Sequence, residues 1–214
     1  MIHPQTPLVL HGYFRSSASY RVRIALNLKG LDYDPVEVSL IAGEQRSDAF
    51  LEQNAQGFVP MLVAGDDVII QSMAIIDWID RSYPEPRLIP DDPMPRAVAL
   101  AQANVIACDI HPLNNLRVLK YLTKDLGLNE QTKDRWYQHW IIEGFEALEA
   151  MAGEGRYLGG DAPGIADCCL VPQMYNARRF DVPLDAYPRL VAIDAACMEV
   201  DAFQRAHPDA AKPA

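Results

Sequence analysis

Two hydroxyls and a guanidinium meet where Arg15-Ser16-Ser17 leads into a periodic apolar run. A helix start presents backbone N–H groups without intrahelical partners and the positive end of the helix dipole. Serines at such a place are everyday caps. The same field, with hydroxyl donors added, also holds a thiolate and lowers a thiol's pKa. Ala18 follows the serines, so the chain brings no cysteine of its own to this spot. A thiolate here would have to arrive with a ligand.

Two more short stretches carry similar double meanings. Val59-Pro60 stands at the start of a predicted strand, where proline belongs because it cannot donate to a ladder. A cis bond there would turn the Val59 N–H and C=O outward, ready to pair with an extended peptide. Gln71-Ser72 precedes another apolar periodic run. Ser72 reads as a helix cap. Alternatively, its hydroxyl and the neighbouring N–H groups capture a carboxylate. Arg15, Arg117, Arg178 and Arg179, with His111, are the cationic candidates for an anionic substrate. Single arginines are usually solvated or salt-bridged, but arginine is also the side chain suited to bidentate carboxylate binding.

The elements that must position these residues follow from periodicity and punctuation. Leu8–Tyr13 reads as a buried strand and Ser17–Lys29 as a helix closed by Gly30. Tyr33–Val38 is a second strand, and Gly43–Gln53 a short helix. Val59–Val63 and Val68–Ile70 are strands joined by a turn at Gly65-Asp66-Asp67. A helix capped by Ser72 runs to Tyr83, giving the order β-α-β-α-β-β-α. Five prolines fall between Tyr83 and Pro95, a density that interrupts helix and strand alike.

Beyond the prolines the pattern is helical. One long helix is expected from Arg96 to Lys124, bent at His111-Pro112. Glu130–Met151 follows, with Trp136, Trp140, Ile141, Phe145 and Leu148 as core. Ile165–Arg178 (kinked by Pro172), Tyr187–Cys197 and Asp201–Ala206 are shorter, and residues 209–214 are expected to fray. The boundaries are therefore a first domain over 1–86, a linker over 87–95 and an all-helical domain over 96–214.

Composition bounds what such a chain does. Half of its 214 residues are apolar, and its formal net charge is -10. That balance argues against nucleic-acid or anionic-membrane partners, while leaving room for an anionic small substrate wherever cations gather locally. Cys108, Cys168, Cys169 and Cys197 lack metal-type spacing, so no metal is expected and they read as buried reduced thiols. The first ten residues lack the basic and apolar regions of a leader, and no apolar run reaches the ~20 residues of a membrane span. A cytoplasmic location is expected.

Taken in order, these stretches resemble the zeta class of glutathione transferases, the class that includes maleylacetoacetate and maleylpyruvate isomerases. The stretches that carry the resemblance are Phe14–Gly30, Val59–Pro60, Gln71–Ile79, His111–Leu116, Ala166–Gln173 and Asn176–Val182. It extends from about Leu8 to about His207. The resemblance implies a thioredoxin-like, glutathione-binding first domain, an all-α second domain completing the substrate pocket, and a homodimer.

The resemblance further implies that Pro60 is cis and that Val59 pairs with the cysteinyl backbone of glutathione. Gln71 and Ser72 would hold the γ-glutamyl end. Ser16 would contact the sulfur, with Ser17 assisting. Arg179 occupies the position of the family's substrate-binding arginine. Arg15, His111 and Arg117 are further contacts for a small dianionic keto acid.

The sequence departs from the class pattern in three places. Ala18 replaces a cysteine, Phe58 stands where a glutamine is common, and Gly164 replaces a Ser/Thr helix cap. The implied activity is glutathione-dependent cis–trans isomerisation of a maleyl keto acid. His111 with Asn114-Asn115 looks like the maleylpyruvate branch and Leu116 like the maleylacetoacetate branch. The latter is favoured as the more widespread activity of the class. Glutathione conjugation to α-haloacids or other electrophiles would use the same thiolate site. A non-catalytic interaction role would not need Ser16, Gln71, Ser72 and Arg179.

Overall fold

Strand Leu8–Gly12 (β1) and helix Ser17–Leu28 (α1) open the chain in the computed structural model, which describes residues 6–213. Residues 1–5, half of the stretch read as lacking a leader, and residue 214 of the tail lie outside the described residues. Asp34–Glu37 (β2), Asp48–Gln53 (α2), Met61–Ala64 (β3), Asp67–Ile70 (β4) and Ser72–Ser82 (α3) follow. The strands pair in the order β2-β1-β3-β4, with β1 and β2 parallel and the other pairs antiparallel. The parallel pair needs a crossover, and α1 supplies it. This is the expected β-α-β-α-β-β-α order, with a single 3₁₀ turn, Glu44–Arg46, ahead of α2.

Contacts divide the chain into two units, one up to Leu88 and again from Glu199, the other Ile89–Met198. The sequence boundaries had assigned everything after residue 95 to the helical domain. Helix Asp201–Ala206 (α9) instead packs on α1 of the first unit. Phe203 is fully buried there. Asn27 Nδ2 donates to the Ala202 carbonyl at 2.9 Å, and Arg23 Nε to the Ala206 carbonyl at 3.0 Å. The expected fraying of the tail is corrected as well. Pro208–Ala211 forms a short helix (α10), because Pro208 is buried and proline suits a first helical position.

Because α1 is covered on several sides, its polar residues are buried with its apolar ones: Val22, Ile24, Ala25 and Leu26, but also Arg21, Arg23 and Lys29 just beyond. Gly12 lets the start of α1 approach β1, since a Cβ there would meet Ser19 Oγ at 3.1 Å. On the other face of the sheet Tyr13, Val38, Phe50, Val59 and Met61 form an apolar cluster under the Val59-Pro60 turn.

The second unit contains Pro93–Asn104 (α4), Leu116–Lys120 (α5), Glu130–Met151 (α6), Ile165–Arg179 (α7) and Pro188–Met198 (α8). Pro93 and Pro95 do not belong to a linker. Asp92 Oδ1 accepts from the Met94 N–H at 3.3 Å, and the two prolines open α4, where no N–H is missed. The expected long helix is also corrected. After α4 the backbone widens into i→i+5 bonding over Val105–Ile110, breaks at the His111-Pro112 turn, and restarts where Asn115 Oδ1 caps α5.

Ile141, Phe145 and Leu148 of α6 are fully buried, whereas Trp136 and Trp140 are half-buried. α7 continues as helix on both sides of Pro172 and is buried along nearly its whole length. Its cap lacks a hydroxyl at Gly164. Asp167 reaches back to the Gly164 N–H at 2.9 Å and also holds the Leu158 N–H at 2.7 Å. All four cysteines are reduced; three are buried, but Cys108 is exposed.

Candidate functional site

In the first unit the candidate residues sit at two helix N-termini and one turn. Ser16 is the N-cap of α1, and its Oγ accepts from the Ser19 N–H at 3.3 Å. That bond uses a lone pair, so the Ser16 hydroxyl hydrogen can be donated to an anion. Ser16 is half-buried, while Ser17, the first helical residue, is buried. Arg15 is exposed. Its Nη2 donates to the Tyr13 hydroxyl at 3.0 Å, and its guanidinium lies 5.2 Å from the Phe14 ring centroid.

The Val59–Pro60 bond is cis, and Val59 lies just ahead of the β3 ladder. Arg46 stacks over the ring of Phe58 at 5.6 Å, adding a cation beside this turn.

At α3 the expected cap is corrected. Gln71 occupies the cap position with φ 72° and ψ 117°, and no side chain caps the helix. Ser72 is the first residue inside. Positive φ in a non-glycine residue costs on the order of 1–3 kcal/mol and is typical of ligand-binding positions. Gln71 Nε2 is anchored on Gln56 Oε1 at 2.5 Å. With no capping side chain, the first N–H groups of α3 and the Ser72 hydroxyl form an anion-receiving end.

Sequence reasoning missed Arg21. It is 2% exposed, and its Nη1 donates to Ser72 Oγ at 3.3 Å. Its Nε and Nη2 have no acceptor among the described residues. A signal was present: positions 21, 24, 25 and 28 share one helix face, which is apolar except for this arginine. Gln56 was missed too, and nothing in its local sequence marks it.

In the second unit, three consecutive residues of α6 fix both cation-bearing segments. Trp136 Nε1 donates to the Leu113 carbonyl and Asn114 Nδ2 to the Tyr137 carbonyl, each at 2.9 Å. These bonds hold the turn that begins at His111 and leads into α5, which carries Arg117. On the other side Gln138 Nε2 donates to the Phe180 carbonyl at 2.8 Å, and the Tyr137 ring stacks on Phe180 at 3.7 Å. Burial pushes the Tyr137 phenol up, against the pull of the Arg179 charge, so the ring stays neutral.

The adjacent arginines at the end of α7 separate cleanly. Arg178 Nη2 pairs with Asp194 Oδ2 at 2.7 Å. Arg179 is exposed, lies over Phe180 at 5.1 Å, and has no ion pair among the described residues. A cleft of about 440 Å³ in this unit is lined by Val105, Cys108, Ile110, Trp140, Glu143 and others; none of the candidate residues lines it. Among the described residues no cluster of His, Cys, Asp or Glu could hold a metal, and no helix is long and apolar enough to cross a membrane.

The first unit therefore offers a cis-proline turn at Val59-Pro60, an anion-receiving helix end at Ser72 and a hydroxyl donor at Ser16. These fit an extended anionic peptide carrying a thiol, which is what glutathione is.

Comparison with known proteins agrees with this chemistry. Residues 10–87 match the model of the glutathione S-transferase N-terminal domain, and residues 130–193 that of its C-terminal domain. The chain is 49% identical to a maleylpyruvate isomerase of a Ralstonia species, over 95% of this chain and 98% of that one. It is 47% identical to a maleylacetoacetate isomerase of Rhizobium meliloti, over 96% and 98%. Among solved structures it superposes on the maleylacetoacetate isomerase of Anaeromyxobacter dehalogenans with TM-score 0.89 and 39% identity, covering 100% of this chain and 96% of that one. That protein carries dicarboxyethyl glutathione and citrate in its active site.

Proposed function

The chain belongs to the glutathione S-transferase family, and on that premise we propose that it is a zeta-class, glutathione-dependent cis–trans isomerase. Its substrate is a maleyl keto acid, maleylacetoacetate or maleylpyruvate, met in aromatic catabolism. The observation that carries the reading is Arg179. It ends a buried helix, is steadied by Phe180, and has no ion pair among the described residues, whereas its neighbour Arg178 is consumed by Asp194.

When bound, glutathione supplies a thiol nucleophile whose reversible addition to the conjugated double bond permits rotation. The chain's own residues supply the rest. Ser16 donates its hydroxyl hydrogen towards the sulfur, and the N–H groups opening α1 favour the thiolate. Ser17, buried at the first helical position, supports Ser16. The Val59 backbone beside Pro60 pairs with the cysteinyl unit. Gln71 and Ser72 hold the γ-glutamyl end, and Arg46 is the cation for the glycyl carboxylate. Arg179 and Arg15 take the substrate carboxylates, with His111 and Arg117 as further contacts.

We read the protein as a cytoplasmic homodimer. Met94 and Val98, one turn apart and exposed on α4, give such a dimer an apolar face. Sedimentation at micromolar concentration checks it.

The function is tested by following fumaryl product from maleylacetoacetate and from maleylpyruvate, each with and without glutathione. Turnover that requires glutathione with at least one of them is expected, and the kcat/KM ratio assigns the substrate. Glutathione binding without turnover of either would remove the isomerase reading.

A further inference from the structure

Three facts stand together. Arg21 is 2% exposed on α1. The only hydrogen bond of its guanidinium among the described residues runs to Ser72 Oγ at 3.3 Å. Among the described residues its Nε and Nη2 find no acceptor, and no carboxylate pairs with it.

An ionised group out of water without a counter-charge is destabilising, and arginine cannot shed its proton to escape that. The cation is aimed at the one residue where α3 presents an uncapped N-terminus. A hydroxyl that accepts from a guanidinium is left with its own hydrogen to donate, and it is polarised to donate more strongly.

We propose that Arg21 is a positioning residue for anion capture: through Ser72 it prepares the α3 N-terminus to receive the α-carboxylate of the γ-glutamyl group. The inference rests on the glutathione-binding reading above and assigns it a residue that the sequence motifs do not include. Arg21 orients the Ser72 hydroxyl outward towards the carboxylate and contributes its charge from behind. The carboxylate in turn is the counter-charge the guanidinium lacks. Gln71, held at positive φ by the chain and by Gln56, closes the other side of the same end.

The test is a binding experiment, independent of turnover. Calorimetry compares glutathione with 4-aminobutanoyl-cysteinyl-glycine, which keeps the amine and lacks only that carboxylate. Arg21→Met is expected to weaken glutathione about tenfold or more, the scale of a charge-assisted hydrogen bond. Binding of the analogue should change less than about twofold on the same scale, and Arg21→Lys should restore part of the loss.

Equal loss for both ligands would make Arg21 merely structural, and no loss for either would remove its role. If Arg21→Met does not fold, the wild-type protein still decides. The Nε–H resonance of Arg21, assigned by its absence in Arg21→Lys, should move on adding glutathione and stay put with the analogue. A resonance that ignores glutathione overturns the proposal. Selective binding without isomerase turnover leaves this inference standing and removes only the catalytic reading. A wild-type chain that does not bind glutathione removes both.

Discussion

Lys29 and Arg21 lie eight residues apart at the same helix, both are cations, and both are buried, yet they do opposite things. Lys29 Nζ donates to Asp80 Oδ1 at 2.6 Å, to the Tyr83 carbonyl at 2.7 Å and to the Pro86 carbonyl. An ammonium has three donors, and all three are placed. Asp80 is completed by the Leu88 N–H at 2.7 Å. The result fastens the residues after α3 to the end of α1. Among the described residues Arg21 has one nitrogen placed out of three and no carboxylate. A buried charge with a full set of partners is a fastener. One with an incomplete set, aimed at a helix N-terminus, is a receptor for something the chain does not contain.

The contrast can be broken by mutation, and the largest effect should come from the fastener. Lys29→Met leaves Asp80 buried without its counter-charge and should cost about 3–5 kcal/mol in urea unfolding. Whatever remains folded should keep its glutathione affinity. A mild loss of stability would mean that Asp80 finds another partner, Arg87 Nη1 at 3.8 Å being the nearest at hand.

The second unit repeats the comparison in adjacent residues. Arg179→Ala should lower kcat/KM for the keto acid by about 10–100-fold, or about 1.5–3 kcal/mol. Arg178→Ala should leave it within about twofold, because its charge is already spent on Asp194. Equal losses would erase the distinction.

Ser16→Ala should remove about 1 kcal/mol of helix capping and also raise the thiol pKa of bound glutathione. The thiolate absorbance would then titrate at higher pH. A lowered or unchanged titration would strip Ser16 of its role at the sulfur. Smallest of all, Arg21→Met should shift the unfolding free energy by less than about 0.5 kcal/mol or raise it, since it replaces an unsatisfied charge with an apolar chain. A loss comparable to that of Lys29→Met would make the two cations alike.

How much of this was legible in the sequence depends on where the information sits. α6 and α9 have the spans read from the sequence, Glu130–Met151 and Asp201–Ala206; in α6 the apolar period agrees with a cap at Asn129, while α9 begins after Val200 without a capping side chain. The stretch 105–125 was not legible. Widened helical turns at Val105–Ile110 and Tyr121–Asp125, on either side of Pro112, preserve apolar spacing while shifting its phase, so periodicity alone reads through them. The serines at 16 and 72 were found, but their roles differ by one position: Ser16 caps, while Ser72 lies inside its helix because Gln71 takes a positive φ that glutamine does not advertise.

The arginines show the limit most plainly. No local pattern tells Arg178, paired with Asp194, from Arg179, which has no ion pair among the described residues, because the partner is supplied by another helix. Arg21 hides for the same reason: within α1 it looks like one polar residue in an apolar stripe, and only Ser72, fifty-one positions away, gives it meaning.

Isomerisation through reversible addition returns glutathione unchanged after each turnover. Proton nuclear magnetic resonance of maleylpyruvate or maleylacetoacetate with about one-tenth of an equivalent of glutathione tests it directly. An isomerase carries the whole sample to the fumaryl product and leaves the glutathione signals intact. Reaction that stops once the glutathione is used, with new thioether signals in its place, would contradict the account and make the protein a conjugating transferase.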